Sequence, residues 1–243
     1  MSSTQLVFAG RLDSVLASVA IQTPLWKGLQ LLEHRHLVHY NNPGNKSGLR
    51  DKSGMRLYYQ PATTDVQDML TFTVGAQGFE IPPGKPRYEV SSVCNTSCRG
   101  VIKKPAKIVA ATNHMHYLGI EMQIELFRCG QKKAVITHDP KYTYDNPQMH
   151  KHNPSIDLLP GDEIKTTCVY NSESKKRPVS FGEATSNEMC YGFLFAYPSL
   201  AIPDPYCVSN GNGNEVKCDE GIPETEDGVS TCTSNQESQC QEG

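Results

Sequence analysis

Short β-rich runs, each closed by Pro, Gly or Asn turn chemistry, recur along most of the chain, and this punctuation narrows the fold more than any other feature. The runs lie at residues 37–40, 55–60, 69–74, 107–112, 120–127, 163–170 and 191–197, with turn signals such as Asn42-Pro43-Gly44, Pro82-Pro83-Gly84 and Pro160-Gly161-Asp162 between them. Strands of this length at this spacing read as an all-β, antiparallel, jelly-roll-like sandwich. Only residues 14–32 carry a helical pattern, and Gln22-Thr23-Pro24 interrupts it, which argues against a helix there. The stiff Ile81-Pro-Pro-Gly-Lys-Pro86 segment marks a boundary. The expected organisation is an unassigned segment at 1–30, part of a second β-sandwich at 31–80, a complete sandwich at 81–207 and a tail at 208–243.

The tail is rich in Asn, Gly, Ser, Thr and Glu and poor in large apolar residues, so it cannot bury enough surface to offset the entropy of ordering it; disorder is expected there. From Val208 onward Lys217 faces Glu215, Asp219, Glu220, Glu224, Glu226, Asp227, Glu237 and Glu242, which leaves the body mildly basic within a net charge of -3. That balance gives no general attraction to nucleic acid. No apolar run approaches the roughly 18 residues of a membrane span.

Nine cysteines are too many for free thiols in a reducing compartment and read as a disulfide set. Two glycosylation sequons, at Asn45 and Asn95, agree with an extracellular or secretory-lumen location. Against this, Arg11 and Asp13 interrupt the apolar stretch that a secretory leader would need, so the first residue of this sequence is not expected to be the start of the ancestral protein.

Three His-x-His pairs occur, His34/His36, His114/His116 and His150/His152. On a strand, residues i and i+2 leave the same face and can present two imidazoles to one ion. The middle pair stands out because an apolar run, Ala110-Ala-Thr-Asn, delivers it just before Gly119, whereas the other two lie in polar stretches where solvated or hydrogen-bonded rings are the ordinary outcome. Met189 sits in Ser186-Asn-Glu-Met-Cys190, and Cys168, 22 residues upstream of Cys190, is a candidate disulfide partner. No Glu or Asp stands beside the middle pair in a His-Glu-x-x-His spacing, which disfavours a zinc hydrolase.

Taken in order, His114-Met-His-Tyr-Leu-Gly119, Pro160-Gly-Asp162, Thr167-Cys-Val-Tyr-Asn171 and Glu188-Met-Cys190 resemble the copper type II, ascorbate-dependent monooxygenases. The resemblance extends upstream through Val38-His-Tyr-Asn-Asn-Pro43, Ser53-Gly-Met-Arg-Leu-Tyr-Tyr59, Ile81-Pro-Pro-Gly84 and Cys94-x-x-x-Cys98, and covers residues 35–207. It implies that His114, His116 and Met189 hold an oxygen-activating copper, that residues 31–80 are the end of the family's leading domain, and that Cys168 pairs with Cys190 and Cys94 with Cys207. Two imidazoles and a thioether form a soft set that suits Cu(I). The implied reaction is hydroxylation of an aliphatic or benzylic C–H bond of a small molecule, catechol- or phenethylamine-like, with dioxygen and ascorbate as reductant. A second, electron-transfer copper would use an adjacent His-His pair and the position of His39; the chain has His39 but no His-His pair, so one copper site is supported of the two in the intact family, and turnover by this chain alone is not expected. Thr112 stands where the peptide-amidating branch uses an arginine to hold a carboxylate, which argues against a peptidylglycine substrate, and Glu183 stands where a second glycine is common. The contrasting reading is a non-catalytic secreted sandwich whose histidines are structural.

Overall fold

The structure is a computed structural model that describes residues 3–12, 15–24 and 35–41 as backbone strands, and residues 45–50, 52, 67–95 and 101–210 in full. The run expected at 55–60 and the tail beyond residue 210 lie outside the described residues. The chain divides into two compact units, Met1–Gln67 and Asp68–Gly243.

In the first unit, β1 (Ser3–Leu12), β2 (Val15–Pro24) and β3 (Arg35–Asn41) form an antiparallel sheet in that order. Within residues 14–32, the one stretch with a helical pattern, the structure forms β2. Its Val15, Val19 and Ile21 are β-branched, and a partner strand on each side fixes the extended state.

The second unit is a sandwich of two sheets. One holds five strands in the order β10 (Met149–Leu158), β7 (Ala106–His114), β13 (Cys190–Tyr197), β4 (Leu70–Gln77), β14 (Tyr206–Asn210). The other holds four, in the order β6 (Tyr88–Asn95), β11 (Glu163–Tyr170), β8 (Gly119–Arg128), β9 (Gln131–Asp139). Two short strands, β5 (Glu80–Ile81) and β12 (Val179–Ser180), pair at the margin. All pairings are antiparallel except β14 with β4, which is parallel. The unit begins at Asp68, and β4 lies between β13 and β14 and cannot be removed without dividing the sheet. Val208 to Asn210 complete β14.

Alternation drives the packing. Along β13, Cys190, Gly192, Leu194 and Ala196 are buried while Tyr191, Phe193, Phe195 and Tyr197 stay partly exposed on the outer face. The core fills the space between the sheets with Phe72, Val74, Ile108 and Leu194 from one side and Met122, Ile124, Leu126, Ile164 and Tyr170 from the other. Two disulfides cross it: Cys94–Cys207 joins β6 to β14, and Cys168–Cys190 joins β11 to β13. Gly75 makes the close approach of β4 to β13 possible. Its φ is +137°, and a Cβ there would lie 2.0 Å from the carbonyl oxygen of Cys190. The Pro160-Gly161-Asp162 signal forms the β10–β11 turn, where the Asp162 carboxylate is buried, receives Arg128 through both oxygens at 2.6 and 2.8 Å and accepts the Leu159 N–H.

Candidate metal centre

His114 closes β7, directly opposite Tyr191 of β13. The chain then bends through residues 115–118 and returns as β8 at Gly119. Two side chains fix this bend. Met115, between the histidines, is fully buried, and its backbone N–H and C=O are both taken by the hydroxyl of buried Tyr142 at 3.0 and 2.7 Å. Gly119 is needed because a Cβ would meet Met115 Cβ at 2.7 Å, which accounts for the glycine of the His-x-His-x-x-Gly pattern by packing alone.

The bend leaves the His114 and His116 rings 5.3 Å apart between centroids and nearly perpendicular, at 89°. Burial pushes the His114 ring down to about 4, with the neighbouring His116 adding to the effect, and burial also holds His116 below its ordinary value. Both rings are therefore neutral at physiological pH, the form in which imidazole donates a lone pair. The Nδ1 of His116 lies 3.0 Å from the carbonyl oxygen of Asn187. A carbonyl can only accept, so Nδ1 carries the proton and Nε2 is left with the lone pair.

The segment bearing Met189 is bound to the same bend. The buried carboxylate of Glu188 accepts the backbone N–H groups of His116 and Leu118 at 2.9 and 2.7 Å. Tyr170 donates its hydroxyl to the Met189 carbonyl at 2.7 Å, and Cys190 is held by its disulfide. Burial pushes the Glu188 carboxyl up to about 7, against the opposing pull of the N–H groups of Leu118, His116 and Met189. Met189 thus lies between a residue fastened to the His116 bend and a strand whose Tyr191 pairs with His114. Among the described residues no three His, Cys, Asp or Glu side chains form a metal-holding group.

The remaining sequence candidates fall elsewhere. His39 lies on β3, in register with Ser18. His150 donates to Asp139 at 2.8 Å, Asp139 accepts from Asn113 at 2.7 Å, and Asn113 accepts from Thr137 at 2.7 Å, a network joining β10, β9 and β7. Thr112 donates to the carbonyl of Gln148 at 2.9 Å. Asn45 is exposed, whereas Asn95 is partly buried at the end of β6 and donates to Glu163 at 3.1 Å. Glu183 keeps a negative φ, so the missing second glycine leaves no backbone strain. Cys129 is also disulfide-bonded.

Residues 64–219 match the family described as copper type II ascorbate-dependent monooxygenase, C-terminal domain. The chain belongs to that family. Among its relatives, the chain is 31% identical to MOXD1 homolog 1 of Drosophila melanogaster over 176 residues, 71% of this chain and 25% of that protein. It is 29% identical to human DBH-like monooxygenase protein 1 over 202 residues, 76% of this chain and 32% of that protein. It is 28% identical to the dopamine beta-hydroxylase of Canis lupus familiaris over 169 residues, 68% of this chain and 27% of that protein. The chain thus spans a quarter to a third of the length of these curated relatives.

Sequence reasoning passed over three contributors to this centre. Glu188 was visible only as a motif letter, and nothing in a linear pattern shows that its carboxylate reaches back some 70 residues to His116 and Leu118. Tyr142 and Tyr144 sit in a β9–β10 loop whose approach to the histidines depends on sheet packing.

Proposed function

We propose that this domain binds Cu(I) through His114, His116 and Met189 and serves as the oxygen-activating half of an ascorbate-dependent monooxygenase. The observation that carries the reading is the fastening of the Met189 segment to the His116 bend by Glu188, beside two neutral, mutually perpendicular imidazoles. The donor set fits the group: two nitrogens and a soft sulfur favour cuprous over zinc ion, and the set leaves coordination open.

Bound copper would supply the one-electron chemistry that activates dioxygen toward a C–H bond. The chain's own residues act around it. Asn187 fixes the His116 tautomer, Tyr142 and Glu188 hold the bend, and the Cys168–Cys190 disulfide anchors the strand next to Met189. Half-buried Phe193 lies 5.9 Å from the His114 ring and restricts water there. The substrate is a small molecule bearing an aliphatic or benzylic C–H bond. Thr112, engaged with Gln148, offers no cation for a carboxylate, which favours a catechol- or phenethylamine-like compound, in keeping with the dopamine in the name of the dog relative. Ascorbate is the reductant of the family; His39 is the matched position of the second, electron-transfer copper, whose His-His pair has no counterpart in this sequence. The disulfides and the exposed sequon at Asn45 support a secreted or vesicle-lumenal protein, with Asn95 the second glycan position.

The test is anaerobic Cu(I) titration against a chromophoric chelator, with X-ray absorption of the loaded protein. One equivalent bound with a sulfur in the coordination shell is expected, and Met189→Ala should lose that sulfur. Cu(I) affinity indifferent to both Met189→Ala and His114→Ala would leave a non-catalytic secreted sandwich as the reading.

A further inference from the structure

The β9–β10 loop brings two tyrosines to the histidine bend, and they do different things. Tyr142 is an anchor: it is buried, its hydroxyl takes both backbone groups of Met115, and its own N–H donates to the Ile120 carbonyl at 2.9 Å. Two residues on, Tyr144 is half-buried and stands against both imidazoles, 6.1 Å from the His114 ring and 5.5 Å from that of His116. Its other neighbour is Tyr117, 4.7 Å away and 52% exposed. No hydrogen bond joins the Tyr144 hydroxyl to another described residue, so the ring is placed by the loop and by the rings it meets edge-on, His116 and Tyr117, rather than by its polar end. A residue needed only for packing would ordinarily be buried. Tyr144 instead forms a wall that runs from the two rings out to exposed Tyr117, and the loop that carries it is bolted to the bend it faces.

We infer that Tyr144 is a substrate-positioning residue: its ring, backed by Tyr117, is the surface on which a flat apolar group lies while its reactive carbon is held beside the His114–His116 pair. This rests on the copper reading above for the reactive centre, but the wall itself is a property of the polypeptide. Aromatic groups stack on or meet such a ring edge-on with a preference over saturated rings of similar size. The side chain should therefore discriminate shape and π character, and the conservative Phe replacement should preserve that discrimination.

The experiment measures Cu(I) affinity by chelator competition and the dissociation constant of two probes, 2-phenylethylamine and 2-cyclohexylethylamine, by ligand-observed NMR on the full chain, with and without Cu(I). Tyr144→Leu and Tyr144→Ala are expected to keep Cu(I) affinity within about threefold while weakening the phenyl probe about tenfold and removing its advantage over the cyclohexyl probe. Tyr144→Phe should restore both. Unchanged phenyl binding in the Leu and Ala variants, failure of the Phe variant to rescue, or no saturable binding by the wild-type chain would overturn the inference. If Ala does not fold, the Leu and Phe variants alone decide. A wild-type chain that takes up no copper yet binds the phenyl probe in a Tyr144-dependent way would defeat the copper reading and sustain the wall.

Discussion

At the scale of single residues, the centre is governed by burial acting in opposite senses on two kinds of group. Burial lowers His114 to about 4, so the folded protein holds fewer protons than the unfolded chain between there and 6.5, and acidification through that window is destabilising. Glu188 is raised from 4.5 to about 7, so the folded protein holds more protons across that range, and its contribution to stability grows as pH falls. The two offset each other between 4.5 and 6.5. Glu188→Gln removes one side of the balance. We expect the metal-free variant, compared with its own stability at pH 7.5, to lose on the order of 2–3 kcal/mol more than wild type by pH 5; urea midpoints at the two pH values check this, and parallel curves for the two proteins would refute it. The glycine that follows the bend acts through packing. Gly119→Ala would have to displace Met115, whose backbone is pinned by Tyr142, so a melting point lowered by several degrees is expected from calorimetry.

At the scale of elements, the two sheets are joined at points that matter for the site. Cys168–Cys190 closes a 22-residue loop and ends one residue from Met189. The paired Cys168→Ala, Cys190→Ala variant should lose about 3 kcal/mol of stability in the chain-entropy account. It should also weaken Cu(I) binding, because the thioether loses its anchor. Loss of stability with unchanged Cu(I) affinity would show that Glu188 and Tyr170 suffice to hold Met189. Gly75→Ala tests the β4–β13 approach: with a Cβ 2.0 Å from the Cys190 carbonyl, the strands cannot pair as they do, and soluble yield or the melting transition should be largely lost. The elements also show what a linear reading can see. The central strands β4, β7, β8, β11 and β13 were all foreseen, whereas β6, β9, β10 and β14 were not, and these four are the edges of the two sheets. Two of these edge strands carry charge or proline, as in Gln131-Lys-Lys133 of β9 and Asn153-Pro154 of β10, because their outer side meets water and must resist pairing with other chains. In β9 and β10 the same devices erase the alternation from which a strand is recognised. Residues 14–32 failed in the converse way, since a partner strand on each side of β2 overrides a weak helical pattern.

At the scale of the whole molecule, a ligand that binds only the folded state must stabilise it. Cu(I) at about a hundredfold excess over its dissociation constant should add roughly 2.7 kcal/mol to the stability of the Asp68–Gly243 unit, seen as a raised melting transition under anaerobic conditions and absent in His116→Ala. No shift in the wild-type chain would count against a cuprous site. By itself the sequence determined the all-β class, the turn at Pro160-Gly161-Asp162, the kinship to copper monooxygenases and the names of the three candidate donors, because each is written in local pattern or in motif order. Tertiary structure alone decided that β4 belongs to the second unit, that a carboxylate from the Met189 segment grips the His116 bend, and that Tyr144 walls the imidazoles. Those relations join residues tens of positions apart, through hydrogen bonds and ring contacts that exist only once two sheets have closed on a common core.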